Sequence, residues 1–145
     1  MGWLGNLFRD RRQSENPAVE AAVRDLQDWQ ARTRMAYEAG KIDGLHYADH
    51  VETVQSLKRQ DRHDDAVALL LRLVDAVEAQ NAIDNAGVPG WYYEQLAIVY
   101  RKLKRPEAEL AILERFSHQK PAPGPAQDKV LERLAKVRAR LGKPQ

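Results

Sequence analysis

The sequence predicts an all-α fold in which antiparallel helical hairpins stack as a short array of about six helices, with a capping helix at each end. Three observations predict it. Apolar residues recur at intervals of three and four, and no segment alternates. Proline (7) and glycine (8) are sparse in the 145 residues, and most of them fall between the periodic segments rather than inside them. Ala, Leu, Arg, Glu and Gln, all good helix formers, abound.

The first helix is expected over residues 17–39, with Asn16 as N-cap, Pro17 at the first helical position and Gly40 beyond the end. Its apolar side is Val19, Ala22, Val23, Leu26 and Trp29, continued by Thr33 and Ala36/Tyr37, so it should cover a core on one side. After the Asp43-Gly44 turn a second helix is expected over 45–60 and a third over 64–80. Ala66, Val67, Leu69, Leu70, Leu71, Leu73, Val74, Ala76 and Val77 surround most of that third helix, which must therefore be enclosed by neighbours. Helices over 91–104 and 106–118 share the short Lys104-Arg105-Pro106 connection and must fold back on each other. A proline-rich linker, 121–125, precedes the last helix, 126–141, whose narrow stripe is Val130, Leu134, Val137 and Leu141. No strand is expected.

Charge divides the chain where its composition does not. The net charge is +2, yet residues 1–13 carry three Arg against one Asp (+2), and residues 119–145 carry seven Lys/Arg against Asp128 and Glu132 (+5). The middle holds 13 cationic and 18 anionic side chains, or −5. Four parts follow: a basic amphipathic segment (1–13), an N-terminal helix (14–44), a hairpin body (45–121) and a basic C-terminal cap (122–145). No apolar run approaches the ~20 residues of a membrane span, and residues 3–8 are too short and wrongly flanked for a secretory signal, so the expected location is cytoplasmic.

Residues 91–121 carry a repeat signature. Tyr93, Leu96, Ala97 and Tyr100, followed by Leu113, Phe116 and Pro121, resemble the two helices and closing proline of a tetratricopeptide repeat (TPR). A degenerate upstream copy has Ala66, Leu70 and Leu73 in its second helix and His50, Thr53, Val54 and Leu57 in its first. The copies lie 43 residues apart instead of 34, which places an insertion at 81–90. Glu109 stands where the family usually has alanine, a departure that suggests a splayed or partly exposed helix crossing. The resemblance implies a protein-binding scaffold with a concave groove. Carried over by position, the groove residues are Trp91, Glu94, Ile98 and Arg101 in the good copy, and Ala48, Val51, Gln55 and Lys58 in the degenerate one. A compact bundle with Trp91 and Ile98 packed under the first helix is the other arrangement these residues permit.

Catalytic signatures are missing. There is no Cys, Ser and Thr are few, and the chain has no nucleophile elbow, P-loop or dinucleotide fingerprint, so no enzyme and no cofactor are expected. His46 and His50, at i and i+4, could both reach one metal with Asp49 or His63, but an ordinary helix face is the stronger reading and no metal is expected. Trp3, Leu4, Leu7 and Phe8, followed by Arg9, Arg11 and Arg12, form an amphipathic segment open to three fates: a disordered start, weak contact with an anionic membrane surface, or docking into a groove. The last helix has Lys129, Arg133, Lys136, Arg138, Arg140 and Lys143, spread around it with no aromatic interleaving. A solvated cap explains them better than nucleic acid does. The function expected is a TPR-like adaptor that holds a peptide or helix of a protein partner, or its own N-terminal segment, with self-association open. The alternative is a membrane-surface or nucleic-acid binder using the basic ends.

Overall fold

The computed structural model describes residues 16–144. The amphipathic segment with Trp3, Leu4, Leu7 and Phe8 lies outside them. The fold is all-α with six α-helices among the described residues: α1 (Pro17–Ala39), α2 (Val51–Arg59), α3 (His63–Asp84), α4 (Trp91–Lys102), α5 (Pro106–Ser117) and α6 (Ala126–Arg140). Local chemistry sets the ends. Asn16 Oδ1 accepts from Ala18 N at 3.0 Å to cap α1, and Pro106 opens α5 at its first turn. Asp61 and Lys104 adopt positive φ just past α2 and α4. The following amides, Arg62 N and Arg105 N, then reach back to Leu57 O and Tyr100 O, each at 2.9 Å, which is how a left-handed residue closes a helix.

Two expectations about elements are corrected. A short hairpin, β1 (Lys41–Ile42) with β2 (Leu45–His46), and a 3-10 turn (Tyr47–His50) occupy the start of the expected second helix. The physical reason is the Asp43-Gly44 pair: both residues have positive φ (51° and 80°), the two-residue turn whose twist suits an antiparallel hairpin. Residues 81–84, expected as part of an inserted loop, extend α3 by one more turn. No glycine or proline interrupts them, and Asn85 at φ 53° ends the helix by donating its N–H to Asn81 O.

The border between the two structural units of the chain falls inside α1, between Arg34 and Met35. In the first unit the expected burial is not found: Val19, Val23, Leu26 and Trp29 are 58%, 48%, 52% and 63% exposed. In the second unit each helix from α2 to α6 packs on the next, and α4 also meets α6. As the broad apolar surface of α3 requires, its Ala66, Val67, Leu70, Leu73, Val74, Ala76 and Val77 are all buried. Val67, Leu70, Leu73, Val74 and Val77 share one core with Tyr93, Leu96, Leu113 and Phe116, the Tyr93 and Phe116 rings lying 5.1 Å apart.

A polar tie joins three helices beside that core. The Arg115 guanidinium of α5 donates to both carboxylate oxygens of Glu78 on α3, at 2.8 and 2.7 Å, and to Asp75 Oδ1 at 2.7 Å. Tyr93 of α4 donates its hydroxyl to the same Glu78 at 2.8 Å. Burial, and then this hydrogen bond to a carboxylate, push the Tyr93 phenol well above its ordinary pKa. A two-pronged guanidinium–carboxylate pair is among the stronger polar contacts a protein makes. Glu78→Ala should therefore lower stability by about 1–3 kcal/mol, and Tyr93→Phe, which removes one hydrogen bond only, by about 1 kcal/mol. Urea unfolding followed by circular dichroism measures both.

Candidate functional site

The last helix shows how the site arises. Val130, Leu134 and Val137 of α6 are buried against the core. One residue earlier in each case, and again before Leu141, stands a cation: Lys129, Arg133, Lys136 and Arg140. A step of one residue turns about 100° around a helix, so burying the apolar stripe aligns the four cations beside it. They face α4 across a cleft of about 240 Å³ whose other lining residues are Glu94, Arg101 and Glu132. Five cations and two carboxylates give the lining a net charge of +3.

Two close approaches hold α4 and α6 in this relation. The loop before α4 and the linker before α6 are stitched by a parallel bridge, with Val88 N donating to Lys120 O at 2.8 Å and Ala122 N donating to Val88 O at 2.9 Å. Gly87, at φ 99°, lets the strands meet, because a Cβ there would sit 2.6 Å from Pro121 O. Two residues after Val88, a Cβ on Gly90 would stand 3.2 Å from the Val130 side chain, so the start of α4 lies directly on the first turns of α6.

Ion pairing leaves much of the cleft's charge free. Lys136 pairs with Glu132 at 3.1 Å on the exposed rim. Arg140 lies 3.9 Å from Glu109 Oε1. Among the described residues the side chains of Arg101, Lys129 and Arg133 have no ion-pair or hydrogen-bond partner. Glu109 corrects an expectation: the carboxylate at the helix crossing is 1% exposed, not partly open, and its Oε1 has no hydrogen bond. It is buried because it lies on a helix whose Leu110, Ile112, Leu113 and Phe116 are buried with it.

The expected groove is split. Glu94 and Arg101 line the cleft, whereas Val51, Gln55, Lys58, Trp91 and Ile98 do not. Val51 and Trp91 are half-buried against the edge of the core, and the Trp91 ring meets Tyr92 edge-on at 5.0 Å. Ala48 is exposed in the 3-10 turn, Gln55 and Ile98 are half-buried, and Lys58 donates its ammonium to Gln95 Oε1 on α4. Partial burial, and next the charge of Lys102, lower the Lys58 pKa, while Glu94 opposes them. The four cations of α6 are the part of the site that the sequence reading left in a solvated cap. Their spacing of four, three and four residues, in step with the apolar stripe, was the available signal.

The histidine pair serves the hairpin. His46 Nδ1 accepts from Ala48 N at 3.3 Å, its Nε2 lies 2.6 Å from Gln80 Oε1, and its ring stacks on Tyr37 at 4.5 Å. His50 Nε2 lies 3.1 Å from Ile42 O and 3.3 Å from Leu45 O. His50 thus bonds across the hairpin turn, while His46 ties the hairpin to α3. Among the described residues no three His, Cys, Asp or Glu side chains converge as metal ligands, and no helix is long and apolar enough to cross a membrane.

No protein-family model matches the chain, no curated protein matches it, and no solved structure matches it. A buried carboxylate without a hydrogen bond is destabilising, so Glu109→Met, similar in volume, should raise stability by about 1–3 kcal/mol. Thermal and urea unfolding of the two proteins measure it; equal or lower stability of the variant contradicts this account of Glu109.

Proposed function

We propose that the chain is a non-catalytic protein-interaction module, a cytoplasmic TPR-like adaptor, that binds an acidic segment of a partner protein in the cleft between α4 and α6. One observation carries the reading: five cations from two helices converge on one cleft, and three of them have no partner among the described residues. Partner carboxylates would supply the missing contacts, with the guanidinium forks of Arg101 and Arg133 offering two-pronged recognition. The TPR resemblance of residues 91–121 supports the same reading, since Glu94 and Arg101 belong to its groove face. The chain's own residues 1–13, at net +2, have the wrong sign for this cleft.

Two features favour a protein segment over nucleic acid. Glu94 and Glu132 interrupt the cations, which repels a continuous phosphate backbone but suits a peptide that also presents N–H groups or a cation. Among the described residues no aromatic side chain lines the cleft to stack a base.

A fluorescent peptide of about ten residues, half of them Asp or Glu, tests the proposal by anisotropy. Binding should weaken steeply as salt rises. The double change Arg133→Glu with Lys136→Glu should reduce it by roughly tenfold or more. Equal binding of an uncharged peptide, or no effect of the double change, contradicts the reading. A single-stranded RNA of the same charge binding more tightly than the peptide transfers the cleft to the nucleic-acid alternative.

A further inference from the structure

The exposed face of α1 carries a second message, independent of the cleft. Residues 16–35 are exposed without exception. Val19, Ala22, Leu26, Trp29 and Thr33 follow one another at steps of three, four, three and four, the seam of a coiled coil in which Val19, Leu26 and Thr33 take the a positions and Ala22 and Trp29 the d positions. Thr33 does not spoil the seam, because its hydroxyl already donates to Trp29 O at 2.9 Å. The seam ends there: the next d position, Ala36, is only 1% exposed.

The charges beside the seam say what covers it. Asp25 and Arg32 occupy successive g positions, and among the described residues neither has an ion-pair partner in its own chain. We propose that the face is covered by α1 of a second copy of this chain, running antiparallel. In that arrangement a positions face d positions, so Leu26 packs on Trp29 of the second copy and Ala22 on its Thr33. The g positions then meet each other, which sets Asp25 against Arg32 of the second copy, twice by symmetry.

The alternatives fail on the same residues. Sliding the antiparallel pair by one heptad in one direction opposes Asp25 to Asp25, and in the other Arg32 to Arg32. A parallel pair sets Asp25 against Gln30 and Arg32 against Tyr37, with no ion pair at all. Only one register is attractive at both g positions. Val19 would face the buried Ala36 and lies outside the contact, so the paired seam, Ala22 to Thr33, is about 17 Å long and buries less than the ~1,600 Å² of a standard interface, which makes the dimer concentration-dependent.

Sedimentation velocity of the full chain from about 1 to about 500 µM should show a reversible monomer–dimer equilibrium. Leu26→Glu should leave the protein monomeric. Asp25→Arg alone and Arg32→Asp alone should each weaken association by roughly tenfold, and the two together should restore it, because the pair is then reversed but intact. A chain that stays monomeric throughout overturns the proposal and leaves the face to the chain's first residues or to a foreign protein. A dimer indifferent to Leu26→Glu, or one that the paired reversal fails to restore, overturns it equally.

Discussion

The carboxylate of Glu78 is the constraint on which the body of the molecule turns. It projects from α3, whose apolar residues are buried by α2 and α4, and takes hydrogen bonds from Tyr93 on α4 and from both prongs of Arg115 on α5. Apolar burial brings these helices together without dictating how far one slides along another. A shared carboxylate with directional partners fixes that slide, since each bond holds only within a few tenths of an ångström of its length. With α4 set on α3 and α5, the Glu94–Arg101 edge of α4 takes its place beside the last helix.

From there the site follows by covalent geometry. The Val88–Pro121 bridge and the approach at Gly90 bring the start of α6 onto the start of α4. The apolar stripe of α6 turns inward for the ordinary reason that it is apolar, and the cations one residue ahead of it are carried to the edge of α4. No element of the cleft needs strain or a buried charge pair. Glu109 is the exception nearby, a buried carboxyl group 3.9 Å from Arg140, whose side chain lines one end of the cleft.

Much of this was legible in the sequence, and the failures share a cause. The limits of α1 were read from Asn16, Pro17 and Gly40, and the enclosure of α3 from the breadth of its apolar surface, because caps and periodicity are local signals. The hairpin at 41–46 was missed because two-residue strands have no alternation to detect, leaving the Asp43-Gly44 turn as the sole cue. The burial of Glu109 and the exposure of Val19, Val23, Leu26 and Trp29 both depend on which neighbour is present, and periodicity names a face without naming what it meets. The cleft falls between these cases. Its Glu94 and Arg101 emerged from helical spacing, while the α6 cations were seen singly and judged scattered, although four of them keep step with the buried stripe.

The cationic cleft is the binding surface we propose for the protein. Its most direct test is a ¹H–¹⁵N correlation map of the full chain during titration with an Asp/Glu-rich peptide. The shifted amides should cluster at residues 94–101 and 129–140, with α1 and the hairpin at 41–46 unmoved. Shifts centred on α1, or none in α6 at saturation, would contradict it.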